Sequence, residues 1–250
     1  MIASLGMYDR PELQPVNDRY WALIRNNLRA RGVDAPDALT RGPRAYMPAW
    51  QSPDLLLSQT CGLPYATVLH GKVTLVGSPD YGLPGCPPGY YNSAFIARAD
   101  DPRSTFAEFD GTPIAYNEAI SQSGWGAPQN HAARHGLHFP AGLGTGAHVD
   151  SAAAVADGRA DLAALDCLSW AMIREWDPAL AAQLREITRT EPTPATPLIT
   201  ARPALAETLY LAVSEAIAAL SATDRAALHL RGLARVPDSA YLAVPVPPQP

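Results

Sequence analysis

Lysine is almost absent from this sequence, and acidic residues outnumber basic ones. Lys72 is the only lysine, the remaining cations are arginines scattered along the chain, and the formal net charge is −5. Proteins that neutralise nucleic-acid phosphates or lie on anionic membranes need clustered Lys and Arg side chains. The composition therefore argues against a nucleic-acid partner and against a polybasic membrane-binding segment.

Long apolar runs are lacking as well. No segment approaches the roughly 18 apolar residues of a membrane span, so we do not expect a membrane-embedded protein. Residues 1–7 have neither the positive n-region nor the long apolar h-region of a secretory leader. We expect a periplasmic protein if a leader was removed, and a cytoplasmic protein if the chain is complete as given.

Cysteine is too scarce for disulfide bonds to stabilise the fold. The three cysteines, Cys61, Cys86 and Cys167, cannot build a disulfide framework, and their spacing fits no zinc motif. A single Cys61–Cys86 bridge is an alternative in an oxidising compartment, but buried thiols are the more common case. We predict no cofactor.

Apolar residues are plentiful, and they alternate between strand and helix patterns. They make up 47% of 250 residues, enough to fold one large domain or two lobes. The alternation predicts an α/β protein. Predicted strands include Ile2–Met7, Asp54–Leu57, Ile114–Tyr116, Leu137–Phe139 and Asp161–Asp166, with residues 142–148 read as a loop.

Polar or aromatic residues follow three of these strands. Tyr8 comes after the first, the Ser58-Gln59-Thr60 turn after the second, and a polar loop after Tyr116. Ligands of open α/β sheets bind beyond the carboxyl ends of the strands, so these loops are expected to converge on one cleft. In the Gly- and Pro-rich segment 77–91, Tyr81, Tyr90 and Tyr91 either face this cleft or only pin a surface loop.

The sequence is organised around residues 111–125, where a short apolar strand breaks into a loop rich in hydroxyls and amides. A helix is predicted over Ala127–His135, ending at Gly136. Free backbone N–H groups at a helix start, together with Ser121, Gln122 and Ser123, form a donor set for an anion. The alternative is an ordinary helix cap that touches no ligand.

Three motifs in order resemble the substrate-binding proteins of phosphate, phosphite and phosphonate ABC transporters. They are Asn117–Gly124, Gly146–Asp161 and Ala163–Asp166. The resemblance implies a type 2 periplasmic-binding-protein fold, in which two α/β lobes hold the ligand in a cleft between them. Lobe I would comprise residues 1–93 and 197–250, lobe II residues 94–196, and the crossings would be Ser93–Arg98 and Pro197–Thr200.

The resemblance also implies which residues bind the ligand. The Ser121-Gln122-Ser123 turn would grip an oxyanion, His148 would face the cleft, and Asp166 would either complete the pocket or cap the following helix. The full predicted set is Tyr8, Ser58, Gln59, Thr60, Tyr90, Asn117, Ser121, Gln122, Ser123, Gly124, His148 and Asp166. We predict a protein that holds a small oxyanion or phosphonate-like solute for ABC-type uptake, with an ABC permease as partner.

Two other functions use the same fold. A leaderless cytoplasmic enzyme, like those of menaquinone and thiamine-precursor biosynthesis, would recruit His148 with Asp150 or Asp166 as acid–base groups. The Gly-x-Ser-x-Gly nucleophile elbow is absent, and we predict no catalytic residue. A sensory binding module is the second alternative.

A metal site from three histidines is a further alternative. His131, His135 and His138 are spaced four and three residues apart, so the first two would share a helix face. Because Gly136 is predicted to end the helix before the third, a solvated helix end is the default and we predict no metal.

Overall fold

The computed structural model describes residues 1–250 and has a mixed α/β architecture, which confirms the predicted fold class. The strands are β1 (Ile2–Ser4), β2 (Leu55–Gln59), β3 (Thr74–Asp80), β4 (Tyr90–Tyr91), β5 (Ser93–Arg98), β6 (Ile114–Tyr116), β7 (Ala141–Gly144), β8 (Leu162–Asp166), β9 (Leu184–Arg189), β10 (Thr193–Pro194), β11 (Leu198–Thr200) and β12 (Gly232–Ala234).

The α-helices are of very different lengths. They are α1 (Gln14–Ala30), α2 (Met47–Trp50), α3 (Gly62–Pro64), α4 (Ala127–Arg134), α5 (His148–Ala156), α6 (Cys167–Trp176), α7 (Pro178–Ala181), α8 (Ala206–Ala219), α9 (Ala222–Ala227) and α10 (Asp238–Leu242). A π-helical turn at Tyr65–Leu69 follows α3, and a second at Gln122–Gly126 leads into α4. None of the helices combines the length and apolar composition that crossing a bilayer demands.

The first compact unit comprises residues 1–90 and 194–242. Its five-stranded sheet has the order β1-β2-β11-β3-β12. β1 and β2 are parallel, whereas β11 is antiparallel to both β2 and β3, and β12 is antiparallel to β3. β2 is buried along its whole length, so both faces of this sheet are covered at that strand. Its core includes Trp50, Leu55, Tyr65, Ile199 and Tyr241.

The second unit comprises residues 91–193 and 243–250. Its sheet has the order β7-β6-β8-β5-β9. β6 is parallel to both β7 and β8, and β5 is antiparallel to β8 and β9. Phe95, Phe109, Ile114, Trp125 and Leu162 belong to its core.

The bounds of the two compact units lie near those predicted for the lobes, and the lobe assignment itself stays a prediction. The chain passes from one unit to the other at residues 90/91, 193/194 and 242/243. The first two of these points lie within the short paired strands β4 and β10. The tail 243–250, predicted as part of lobe I, belongs to the second unit. The reason is hydrogen bonding: Trp125 Nε1 donates to the carbonyl of Pro248 and Asn130 Nδ2 to that of Pro245, each at 2.8 Å.

Several local predictions differ from the structure. The first strand ends at Ser4 because Gly6–Tyr8 forms a 3₁₀ turn. The strand predicted at Leu137–Phe139 is wrong: Phe139 packs in the core, and the strand is β7, which begins at Ala141 and continues into the predicted loop. The helix predicted at Ala127–His135 is present as α4, and Gly136 follows it with φ +68°. No disulfide joins Cys61 to Cys86.

Candidate functional site

Three loops of the second unit lie at one edge of its sheet. Because β7 and β8 both run parallel to β6, the carboxyl ends of the three strands lie on the same side of the sheet. Asn117 follows β6, Thr145 follows β7, and Asp166 ends β8. Backbone hydrogen bonds from Thr145 N to Tyr116 O (2.9 Å) and from Gly146 N to Asn117 O (2.8 Å) hold the first two loops together.

Ser121 begins a helix instead of lying in an open loop. Its Oγ accepts a hydrogen bond from Gly124 N at 3.0 Å, and its carbonyl accepts from Trp125 N and Gly126 N. Pro128, at the start of α4, has no backbone N–H to donate to a carbonyl group of the preceding turn, and this is compatible with a π-helical turn at this position. The capping interpretation of Ser121 is therefore present in the structure, and its ligand role stays a prediction.

Ser123 lies two residues further along and contacts His148. Ser123 Oγ and His148 Nε2 share a hydrogen bond of 2.9 Å, and Ser123 is 4% exposed. Burial lowers the pKa of His148 to about 4, and the neighbouring backbone of Ala164 only partly offsets this, although part of the side chain is exposed. The imidazole is therefore neutral at physiological pH, and it orients Ser123 without carrying a charge.

Asn117 and Gly124 lie in close contact. The Oδ1 atom of Asn117 is buried without a hydrogen-bond partner, and it faces the position where a side chain at Gly124 would start. Ser121 Oγ is also near that position, at 3.3 Å. Gly124 is therefore required by the close approach of Asn117.

Asp166 caps the next helix. Its Oδ1 accepts hydrogen bonds from Leu168 N at 2.7 Å and from Ser169 N at 3.1 Å, at the start of α6. This is the alternative that the sequence left open, and a direct ligand contact stays a prediction. Thr145 is an addition to the predicted set, because its Oγ1 lies 2.7 Å from Ser151 Oγ beside the Asn117 loop. Its position directly after β7 was hidden by the wrong strand assignment.

The first unit has its own polar cluster beyond β2. Gln59 Nε2 donates to Tyr81 OH at 2.7 Å and to Thr196 Oγ1 at 2.9 Å. The ring of Tyr8 packs edge-on against that of Tyr81, with centroids 5.4 Å apart. Thr60 is fully buried, and its Oγ1 has no hydrogen-bond partner. The structure thus groups Tyr8 with Gln59 and adds Thr196, which lies just before β11 and carried no sequence signal.

Ser58 and Tyr90 have other surroundings, although the Ser58 hydroxyl also lies 3.4 Å from the carbonyl oxygen of Gln59. Ser58 Oγ lies 2.6 Å from Ser4 Oγ and accepts from Trp50 Nε1 at 3.1 Å, so its hydroxyl is used within the sheet core. Tyr90 lies in β4, with its backbone N–H donated to the carbonyl of Pro87. The ligand roles predicted for both residues remain predictions.

The donor set of the second unit contains no cation. Every arginine of that unit already contacts a carboxylate, a carbonyl oxygen or an aromatic ring. The pairs are Arg98–Asp100, Arg103–Asp101, Arg134–Glu191, Arg159–Asp157, Arg174–Trp170, Arg185–Asp101 carbonyl and Arg189–Glu186. An anion at the Ser121–Gly124 helix start would therefore be bound by dipoles and hydroxyls.

The histidines of α4 form a different group from the one considered in the sequence. His131 and His135 lie near Glu191, with possible ligand atoms within 4.8 Å of one another, and His138 is not in the group. This is the one set of residues with metal-ligand character that the structure brings together.

Comparisons with known proteins show the family through a family model and the fold through solved structures. Residues 57–239 match the family described as "ABC transporter, phosphonate, periplasmic substrate-binding protein". No curated protein sequence matches the chain.

Among solved structures, the chain is similar to PhnD1 from Prochlorococcus marinus in complex with methylphosphonate, at 15% identity and TM-score 0.71, covering 96% of this chain and 94% of that one. A binding protein component of an ABC phosphonate transporter from Pseudomonas aeruginosa has 17% identity and TM-score 0.68, covering 96% and 82%. The periplasmic aliphatic sulphonate binding protein SsuA from Escherichia coli has 15% identity and TM-score 0.57, covering 90% and 85%. The fold is thus of the type 2 periplasmic-binding-protein class, as the resemblance implied.

Replacing Gly124 by Ala should disturb the site locally. The new Cβ would lie far inside van der Waals contact of Asn117 Oδ1, so the Asn117 loop must shift. We expect a loss of about 1–3 kcal/mol in the free energy of unfolding, measured by urea denaturation. Gly232→Ala, where the added Cβ meets nothing, is the control. Equal stability of the two variants would contradict the proposed contact.

The stability of the protein should depend on pH through His148. The folded state keeps this ring neutral down to about pH 4, whereas the unfolded chain takes up a proton near the ordinary value of 6.5. The stabilisation is therefore complete above pH 6.5 and is lost as the pH falls toward 4. Unfolding across that range should show a shallower pH dependence in His148→Gln than in the wild type. The exposed His138→Gln should keep the wild-type slope.

Proposed function

The chain belongs to the phosphonate periplasmic substrate-binding protein family of ABC transporters, and on that premise we propose that it binds a small phosphonate through the uncharged donors around Ser123. Its role is to bind a small anionic solute for ABC uptake. The enzyme alternative is overturned by the family, whose members are substrate-binding proteins. The proposal concerns which small anion binds and which residues contact it.

The observation that carries the proposal is the buried helix start at Ser121–Gly124. The first N–H groups of a helix have no acceptor within it, and they carry the positive end of the helix dipole. The helical run continues from Gln122 to Arg134, so this dipole is well developed. Phosphonate oxygens accept several hydrogen bonds at once, which matches converging N–H and O–H donors.

Ser123 is the residue we assign to direct ligand contact. Ser121 already accepts the capping bond from Gly124 N, whereas Ser123 Oγ is held from one side by the neutral ring of His148. A hydroxyl fixed in this way loses little conformational entropy when it binds a ligand. His148 is therefore assigned the role of positioning Ser123.

The absence of a cation from the donor set favours small anions of low charge. Desolvating a second negative charge without a counter-ion is costly, so a highly charged ligand such as a nucleotide would bind poorly. Methylphosphonate, phosphite and methanesulfonate are the appropriate probes, because they present tetrahedral oxyanions of one to two charges. Their relative affinity reports how the site tolerates charge.

Ser123→Ala should lower ligand affinity with little effect on folding. Loss of a hydrogen bond to a charged ligand costs about 1.5–3 kcal/mol, or about 10- to 150-fold in Kd for methylphosphonate, measured by isothermal titration calorimetry. Ser104→Ala, in an exposed turn of the same unit, should bind as the wild type does. If the three probe anions leave both the calorimetric signal and the melting temperature of the wild type unchanged, the proposed ligand class is wrong.

Ser121→Ala separates capping from ligand binding. We expect it to lower the free energy of unfolding by about 1 kcal/mol, as loss of a helix cap does. Ser121→Asn, which can still accept from Gly124 N, should restore stability. A Ser121→Ala protein of wild-type stability would mean that the cap contributes nothing, and the assignment of the two serines would have to be exchanged.

A further inference from the structure

A second cluster of potential ligand atoms lies at the other end of the helix that starts at Ser121. His131 is in the last turn of α4, and His135 is the residue directly after that helix. The two histidines are four residues apart and therefore lie on the same face. Glu191 comes from the segment after β9. His131 Nδ1 lies 3.0 Å from Glu191 Oε2, and the two imidazole rings have centroids 4.5 Å apart.

We propose that His131, His135 and Glu191 bind one divalent transition-metal ion, with zinc as the best match. Two imidazole nitrogens and one carboxylate oxygen are suitable ligands for zinc, and they leave the fourth tetrahedral position to water. Hard ions such as Mg²⁺ and Ca²⁺ prefer sets made only of oxygen atoms, so they should not compete.

The distances require only a small rearrangement. Zinc–ligand bonds of about 2.1 Å in a tetrahedron place neighbouring ligand atoms about 3.4 Å apart. The His131–Glu191 pair is already near that separation, at 3.0 Å. All three ligand atoms lie within 4.8 Å of one another, so no pair must approach by more than about 1.4 Å.

The side chains that must move are the exposed ones. His131 is 7% exposed at its side chain, and its ring packs on Phe106 and Phe95 at centroid distances of 5.1 and 5.7 Å. It is therefore a fixed anchor. His135 is exposed at the helix end and the Glu191 side chain is 42% exposed, so both can rotate toward the metal at little cost.

Arg134 is the group that opposes the site. Its Nη1 lies 3.4 Å from Glu191 Oε2, where it would compete with a cation for the carboxylate. The arginine side chain is 57% exposed, and surface ion pairs of this kind contribute little, so it can swing into solvent when a metal binds. Removing this charge should tighten metal binding.

Zinc titration of tag-free, chelator-treated protein tests the site. We expect one calorimetric binding event and a raised melting temperature with Zn²⁺, and no shift with Mg²⁺. His135→Ala and Glu191→Gln should each weaken zinc binding by at least about ten-fold, while Arg134→Gln should strengthen it. His138→Ala is the matched control, since this exposed histidine lies three residues from His135 but outside the cluster.

The outcomes are decisive in either direction. Loss of zinc binding in His135→Ala and Glu191→Gln, with wild-type affinity in His138→Ala, supports the site. Absence of zinc binding in the wild type, or equal affinity in the wild type and His135→Ala, overturns it. Methylphosphonate affinity should be the same in His135→Ala as in the wild type, so failure of the metal site is distinguishable from failure of the proposed anion site.

Discussion

The candidate anion site depends on the parallel pairing of β6 with β7 and β8. Residues after these strands are distant in sequence, and only this register brings Asn117, Thr145 and Asp166 to the same edge of the sheet. Two backbone hydrogen bonds then join the loops after β6 and β7. The helix that starts at Ser121 leaves from this edge, so the orientation of its N–H groups is set by the sheet and not by the loop sequence alone.

Two kinds of polar residue share the edge. Ser121 and Asp166 each satisfy backbone N–H groups of the helix they precede, which fixes the start of those helices. Ser123 instead bonds to a side chain, His148, that is itself neutral. Fixed dipoles of this kind need little reorganisation when an anion binds. Because they provide no net charge, they do not attract every anion equally, and the positions of the donors decide which anion is bound.

The sequence predicted the fold class and the family because its signals were local and ordered: strand, polar turn and helix recur with fixed spacing around Asn117–Gly124 and Gly146–Asp161. The sequence-based prediction was wrong where a strand is defined only by its hydrogen bonds to a neighbouring strand. β7 consists of four exposed residues, Leu143 among three small ones, held by β6, while the apolar Phe139 before it is a core residue. Thr196 and Glu191 reach their partners only through tertiary contacts, so no periodicity identifies them.

The helical run from Gln122 to Arg134 gives one physical reason for both proposed ligand classes. Its N-terminus carries a partial positive charge and its C-terminus a partial negative one. Ser121 and Ser123 lie at the first end, where an anion is favoured, and His131 and His135 lie at the second, where a cation is favoured. The polarity of a single helix therefore assigns opposite charges to the two sites, and neither site needs the other to form.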